Sequence, residues 1–124
     1  MSVRALPTTP RSTMAGIPDL ARTEGPFSVV FHEAAELVGR RWTGAILFAL
    51  AHGIHRFSEL EDAIPGLSAR LLTERLRELE DVDVVKRVRQ ESGTRWSYRL
   101  TTKGDALRPV LIALNHWAVT WSEC

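Results

Sequence analysis

A mainly α-helical domain carrying one small β-hairpin is the fold class this sequence predicts, and three observations predict it. Apolar residues recur at helical spacing from Phe27 to Val38 and again along Ser68 to Leu79. A Pro65-Gly66 pair punctuates two short helical segments. Beyond them, the runs Val84 to Gln90 and Arg95 to Leu100 flank Glu91-Ser92-Gly93-Thr94, a stretch of turn chemistry, and read as two strands.

A chain of 124 residues has room for one domain and a single modest core. A hydrophobic share of 44% with 25% charged residues is that of a soluble globular protein, and no apolar run reaches membrane-spanning length. The start, Met1-Ser2-Val3-Arg4, lacks an apolar signal core, so the sequence predicts a cytoplasmic protein with no membrane partner. With a net charge of +1 there is no overall basic field, and any nucleic-acid binding must come from segregated charge. Segregation is visible: Lys86-Arg87-Val88-Arg89 and Arg95 to Arg99 are basic, and Glu78 to Asp83 is acidic. The lone cysteine, Cys124, excludes an intrachain disulfide and the usual cysteine-based zinc cluster.

Residues 1–26 contain Pro7, Pro10, Pro18 and Pro26 without sustained periodicity, which predicts a flexible N-terminal arm carrying Arg4, Arg11 and Arg22. The folded domain is expected over 27–124. Phe27, Val30, Phe31, Ala34 and Val38 mark a first helix that ends at Gly39. Trp42 to Ala51 is apolar almost all round, so it should be buried on most sides, and in so small a protein a partner chain is expected to cover part of it. Phe57 to Ile64 is a short helix with Ser58 at its cap or in its first turn, stopped by Pro65-Gly66. Ser68 then caps the next helix. Helix, tight turn and capped helix together are helix-turn-helix grammar.

That second helix is the centre of the chain. Ala69, Leu72, Leu76 and Leu79 share one side, while Arg70, Thr73, Glu74 and Arg77 share the other within an arc of about 100°. Guanidiniums read guanine edges or clamp phosphates, and hydroxyls and carboxylates also meet bases. Arg70, Thr73 and Arg77 are the leading contact candidates, with Ser68 offering its backbone N–H to a phosphate and Glu74 either selecting cytosine or holding an arginine. Arg75 points to the apolar side and is expected to pair with Glu59 or Glu61. In the returning strand Trp96, Tyr98 and Leu100 alternate with Arg95, Ser97 and Arg99, which predicts an inward apolar face and an outward charged one. A hairpin at this place is a wing, and Arg89 and Arg95 would flank its tip, in reach of phosphates or the minor groove.

Thr101 or Thr102 caps the last helix, where Leu107, Val110, Leu111, Leu114, Trp117, Ala118 and Trp121 form a stripe about 120° wide. Two tryptophans exceed what a small core needs, since each buries on the order of 200 Å². An interface that includes Leu114, Trp117 and Trp121 is expected.

The motifs Leu37-Val38-Gly39-Arg40-Arg41-Trp42-Thr43, Arg56-Phe57-Ser58-Glu59-Leu60, Ile64-Pro65-Gly66-Leu67-Ser68 and Leu71 to Leu79 resemble those of the HxlR-type, MarR-like winged helix-turn-helix regulators, and Tyr98-Arg99-Leu100-Thr101-Thr102-Lys103-Gly104 resembles the strand-to-helix signature of that family. The resemblance runs collinearly from about Phe27 to Trp121. It implies a homodimeric bacterial transcriptional regulator, paired through the first and last helices and so bringing Phe27 and Phe31 into the interface with Leu114, Trp117 and Trp121, with double-stranded DNA bearing a pseudo-palindromic site as its partner. Many members carry a sensing cysteine where this chain has Val29, so thiol sensing through that position is not expected here. The glycine usual after the recognition helix is Asp83, a residue that tolerates left-handed backbone.

Two other functions are consistent with the residues. A small-molecule effector would sit between the apolar helix and the last helix, with Trp42, Phe48 and Trp117 as candidate pocket residues. A winged-helix module that binds only protein would lack a basic stripe along Arg70, Arg77, Arg89 and Arg95. No phosphate loop, nucleophile elbow or paired-carboxylate constellation occurs, so an enzyme is not expected, and neither is a cofactor. His32, Glu33, His52 and His55 do not have metal-site spacing.

Overall fold

The computed structural model describes residues 25–89 and 96–122. The arginines of the N-terminal segment, the turn between the strands with Arg95, and Cys124 lie outside the described residues.

Helix α1 spans Val29–Gly39 and opens on Ser28, whose Oγ accepts the Phe31 N–H at 3.2 Å. The chain then turns sharply, because Trp42 adopts a left-handed backbone (φ 77°) before α2, Thr43–Ala51. Thr43, Ile46, Leu47, Ala49 and Leu50 are all buried. The chain's own α1, α3, α6 and β2 pack on α2 and cover most of it, with Ala45 left exposed. An apolar helix placed centrally in a small domain is enclosed by its neighbours.

Helix α3, Phe57–Ala63, has Ser58 in its first turn, with Arg56 at the cap. Gly66 holds φ 88° in the following turn, and a Cβ there would sit 3.3 Å from Cη2 of Trp42. Helix α4, Ala69–Asp81, starts at Ser68, whose Oγ accepts the Leu71 N–H at 3.1 Å. Leu72, Leu76 and Leu79 drive its apolar face into the core alongside Ile46, Leu47, Leu50 and Leu60. Asp83 takes φ 62°, as its place in the sequence predicts, and turns the chain into the hairpin.

Strands β1 (Val85–Arg89) and β2 (Trp96–Leu100) pair antiparallel, with Val85 opposite Leu100 and Arg89 opposite Trp96. The inward-outward pattern of β2 differs from the expectation. Ser97 is buried and Trp96 is 42% exposed. The cause is an added extended segment: Arg56 bridges to Ser97, and the His55 carbonyl accepts the Tyr98 N–H at 2.8 Å. This segment joins β2 beside Ser97, whose Oγ donates to the Val88 carbonyl at 3.3 Å.

The single last helix of the sequence reading is two: α5, Thr102–Asp105, and α6, Arg108–Trp121. Pro109 explains the break, since it supplies no N–H and its ring clashes with a helical carbonyl at Asp105. Thr101 is the cap of α5. Its hydroxyl accepts the Gly104 N–H at 3.0 Å and donates to the Asp83 carbonyl at 2.6 Å. A Cβ on Gly104 would fall 2.1 Å from the Val84 carbonyl oxygen, so this close crossing of strand and helix needs glycine.

Candidate nucleic-acid interface

The polar side of α4 is turned outward by the burial of its leucines. Arg70, with its side chain 89% exposed, has Nε 3.5 Å from Glu74 Oε2. Of the two roles open to Glu74, holding an arginine is the one with a contact here. An exposed pair of this kind is worth little energy, so it orients Arg70 without immobilising it. Thr73 is exposed, and its hydroxyl donates to the Ala69 carbonyl at 2.8 Å, leaving the oxygen as an acceptor. Arg77 is exposed and has no ion pair among the described residues.

Arg75 is buried, as a scaffold residue should be, but its partners are not those expected. Nε donates to the Arg41 carbonyl at 3.0 Å, and Nη1 lies 3.4 Å from Glu78 Oε2. The left-handed Trp42 interrupts the helical ladder and frees the Arg41 carbonyl, which a buried guanidinium then satisfies. Glu78 also receives Arg40, whose Nε and Nη2 donate at 2.9 and 3.1 Å. The corner between α1 and α2 is thus gripped from α4.

The hairpin continues the α4 surface. Its register puts Arg87, Arg89, Trp96 and Tyr98 on one face. Arg87 Nε donates to Glu80 Oε1 at 3.0 Å, tying β1 to the end of α4. The guanidiniums of Arg87 and Arg89 lie 5.1 and 5.4 Å from the Trp96 ring centroid. Burial, and then the charge of Glu80, push the Tyr98 hydroxyl above its ordinary range, against smaller opposing effects of Arg87 and Arg77. Tyr98 therefore stays a neutral O–H donor beside two arginines. The sequence gives Trp96, Arg87, Tyr98 and Glu80 no place in the site; period-two register across the hairpin is the signal that groups the first three, and Glu80 joins them only through the packing of α4 on β1.

The expected interface residues share one condition: Phe27, Phe31, Leu114, Trp117 and Trp121 are all exposed, Trp117 at 62% and Trp121 at 72%. Neither tryptophan belongs to the core of this chain. Val110 lies on the same side of α6 as Leu114, Trp117 and Trp121 and is also exposed, whereas the exposed Ile112 and Val119 fall on the opposite side of that helix. Of the candidate effector residues, Trp42 is half-buried beside Gly66, Phe48 packs its ring 4.5 Å from His52, and Trp117 stands exposed on α6. A cavity of about 920 Å³ opens elsewhere, lined by His32, Leu37, Arg40, Arg41, Glu78 and Val82 among others. Among the described residues no three His, Cys, Asp or Glu side chains gather as a metal site, and no helix is long and apolar enough to cross a membrane.

The family model of the HxlR-like helix-turn-helix matches residues 37–124. The HTH-type transcriptional regulator YvaP of Bacillus subtilis is 48% identical over 94 residues, covering 75% of this chain and 87% of that protein. The reduced form of the transcriptional regulator YodB from B. subtilis superposes with a TM-score of 0.69 at 38% identity, over 78% of this chain and 96% of that one. The redox regulator HypR in its reduced form does so with a TM-score of 0.67 at 27% identity, over 73% and 90%. With an outward arginine-bearing helix, a wing beside it and these relatives, the chain belongs to the HxlR-like helix-turn-helix family of transcriptional regulators.

Proposed function

We propose that this regulator binds a pseudo-palindromic operator as a homodimer, each subunit laying α4 in the major groove and its wing against the flanking backbone. The observation that carries this reading is the coexistence of two complementary surfaces. One is the outward face of Arg70, Thr73 and Arg77, continued by Tyr98 and Arg89. The other is the apolar face of α1 and α6, which exposes Phe31, Leu114, Trp117 and Trp121. Large apolar side chains left bare in this number mark an interaction site, and a two-fold pairing brings two reading helices to one duplex. Ser68 contributes its position at the α4 N-terminus, where backbone N–H groups receive a phosphate.

Selection of bound duplexes from a random pool tests both halves together. The expected result is a palindromic motif with half-sites about one helical turn, ~34 Å, apart. Recovery of no enriched motif, with binding that is equal on all duplexes, overturns the operator reading. Arg77→Ala should cost ~1–3 kcal/mol on the selected site and relax preference at one position, whereas a uniform loss across sequences makes Arg77 a phosphate contact.

A further inference from the structure

Trp96 has no place in the core, yet it is a large aromatic residue on a short hairpin. It stands directly across from Arg89 in the strand register and diagonally from Arg87. Both guanidiniums lie over its ring, at 5.4 and 5.1 Å from the centroid. Two like charges gathered at one ring repel each other, and one nearby carboxylate, Glu80, is engaged by Arg87 at 3.0 Å. Arg89 has no ion pair among the described residues. We propose that Trp96 is a positioning residue for DNA binding: its ring holds the Arg89 guanidinium extended along the wing, where it meets a phosphodiester oxygen of the duplex.

The chemistry favours this assignment over a cross-strand pair that only stiffens the hairpin. An unsupported arginine on an exposed strand samples many rotamers, and an aromatic face that attracts the cation narrows them before the ligand arrives. Arg87 has a separate task. Bound to Glu80 of α4, it ties the wing to the end of the reading helix, and the register keeps Trp96 and Arg89 on the face that Arg87 shares. The ring attracts a cation without neutralising it, which leaves Arg89 its full charge for the phosphate.

This inference rests on the DNA-binding reading above, and the test separates the two. Affinity of the full chain for a mixed-sequence duplex is measured against salt concentration, with thermal unfolding of every variant as a check on folding. Arg89→Ala should reduce the magnitude of the salt slope by ~0.9, the value of one phosphate contact. Trp96→Leu, which keeps bulk but removes the aromatic face, should reduce it by a similar amount and weaken binding roughly three- to tenfold although Arg89 is still present. Trp96→Phe should restore most of the slope. The Trp96→Leu/Arg89→Ala double variant should bind no more weakly than Arg89→Ala alone. An unchanged slope in Trp96→Leu, additive losses in the double variant, or no difference between Phe and Leu at this position overturns the proposal. If Arg77→Ala and Arg89→Ala both leave DNA affinity untouched, the DNA-binding reading itself fails. If they weaken it and Trp96→Leu does not, only the role of Trp96 fails.

Discussion

The two amphipathic helices of this protein follow the same pattern and meet opposite fates. On α4, Leu72, Leu76 and Leu79 are each at most 1% exposed, and the polar face alone reaches solvent. On α6, Leu111 is buried but Leu114, Trp117 and Trp121 stay exposed. The difference lies in what surrounds them. Helix α4 is enclosed by α2, α3 and the hairpin, whereas α6 touches the same core at its first turns and then runs past it. Apolar periodicity says that a face is to be covered, and it does not say by which chain. The core around α4 is complete within this chain, and the apolar side chains along α6 stay bare.

The sharpest way to break the comparison is to truncate one apolar residue on each side. Leu76→Ala opens a cavity in the head and should cost ~3–5 kcal/mol of unfolding free energy at every protein concentration, read by denaturant titration. Trp117→Ala should instead cost ~2–4 kcal/mol of subunit association, visible as a shift to monomer in sedimentation. An unchanged sedimentation profile in both Trp117→Ala and Trp121→Ala would remove α6 from the interface. Ser68→Ala deletes the hydroxyl that caps α4 and should lower stability by ~1 kcal/mol in thermal unfolding, with the dimer intact.

The smallest effect expected is on pH dependence. Burial, then the charge of Arg99, hold His55 below its ordinary value of 6.5, and Glu59 opposes them weakly. The unfolded chain therefore takes up this proton before the folded one does. Stability should be level above pH 6.5 and fall as pH drops below it toward the folded value. His55→Asn keeps the backbone carbonyl that receives Tyr98 and should flatten that part of the curve. A slope unaltered by the substitution would assign it to other groups.

Much of this was legible in the sequence because the governing signals are local. The Ser68 cap, the Pro65-Gly66 turn and the spacing of Leu72, Leu76 and Leu79 each act within a few residues. Asp83 could be assigned a left-handed backbone because a resemblance marked the position as glycine-like. What stayed hidden depends on chain segments distant in sequence. Nothing near Trp42 announces its left-handed turn, so the sequence points Arg75 to a carboxylate on α3, whereas its partners are the Arg41 carbonyl and Glu78. Ser97 reads as an outward residue until Arg56 joins the hairpin beside it. Pro109, by contrast, was in plain view, and its missing N–H was signal enough to divide the last helix.

The Arg40-Arg41-Trp42 corner has a mechanical consequence. Glu78 grips Arg40, Arg75 grips the Arg41 carbonyl, and the Trp42 ring rests against Gly66 in the turn ahead of α4. There is little slack between the helix that would meet a second subunit and the helix that would meet DNA. In the proposed dimer, tilting one α1 against the other swings the attached heads like the jaws of calipers. The separation of the two recognition helices would then become a dimension set at the subunit seam, far from any residue that reads the operator.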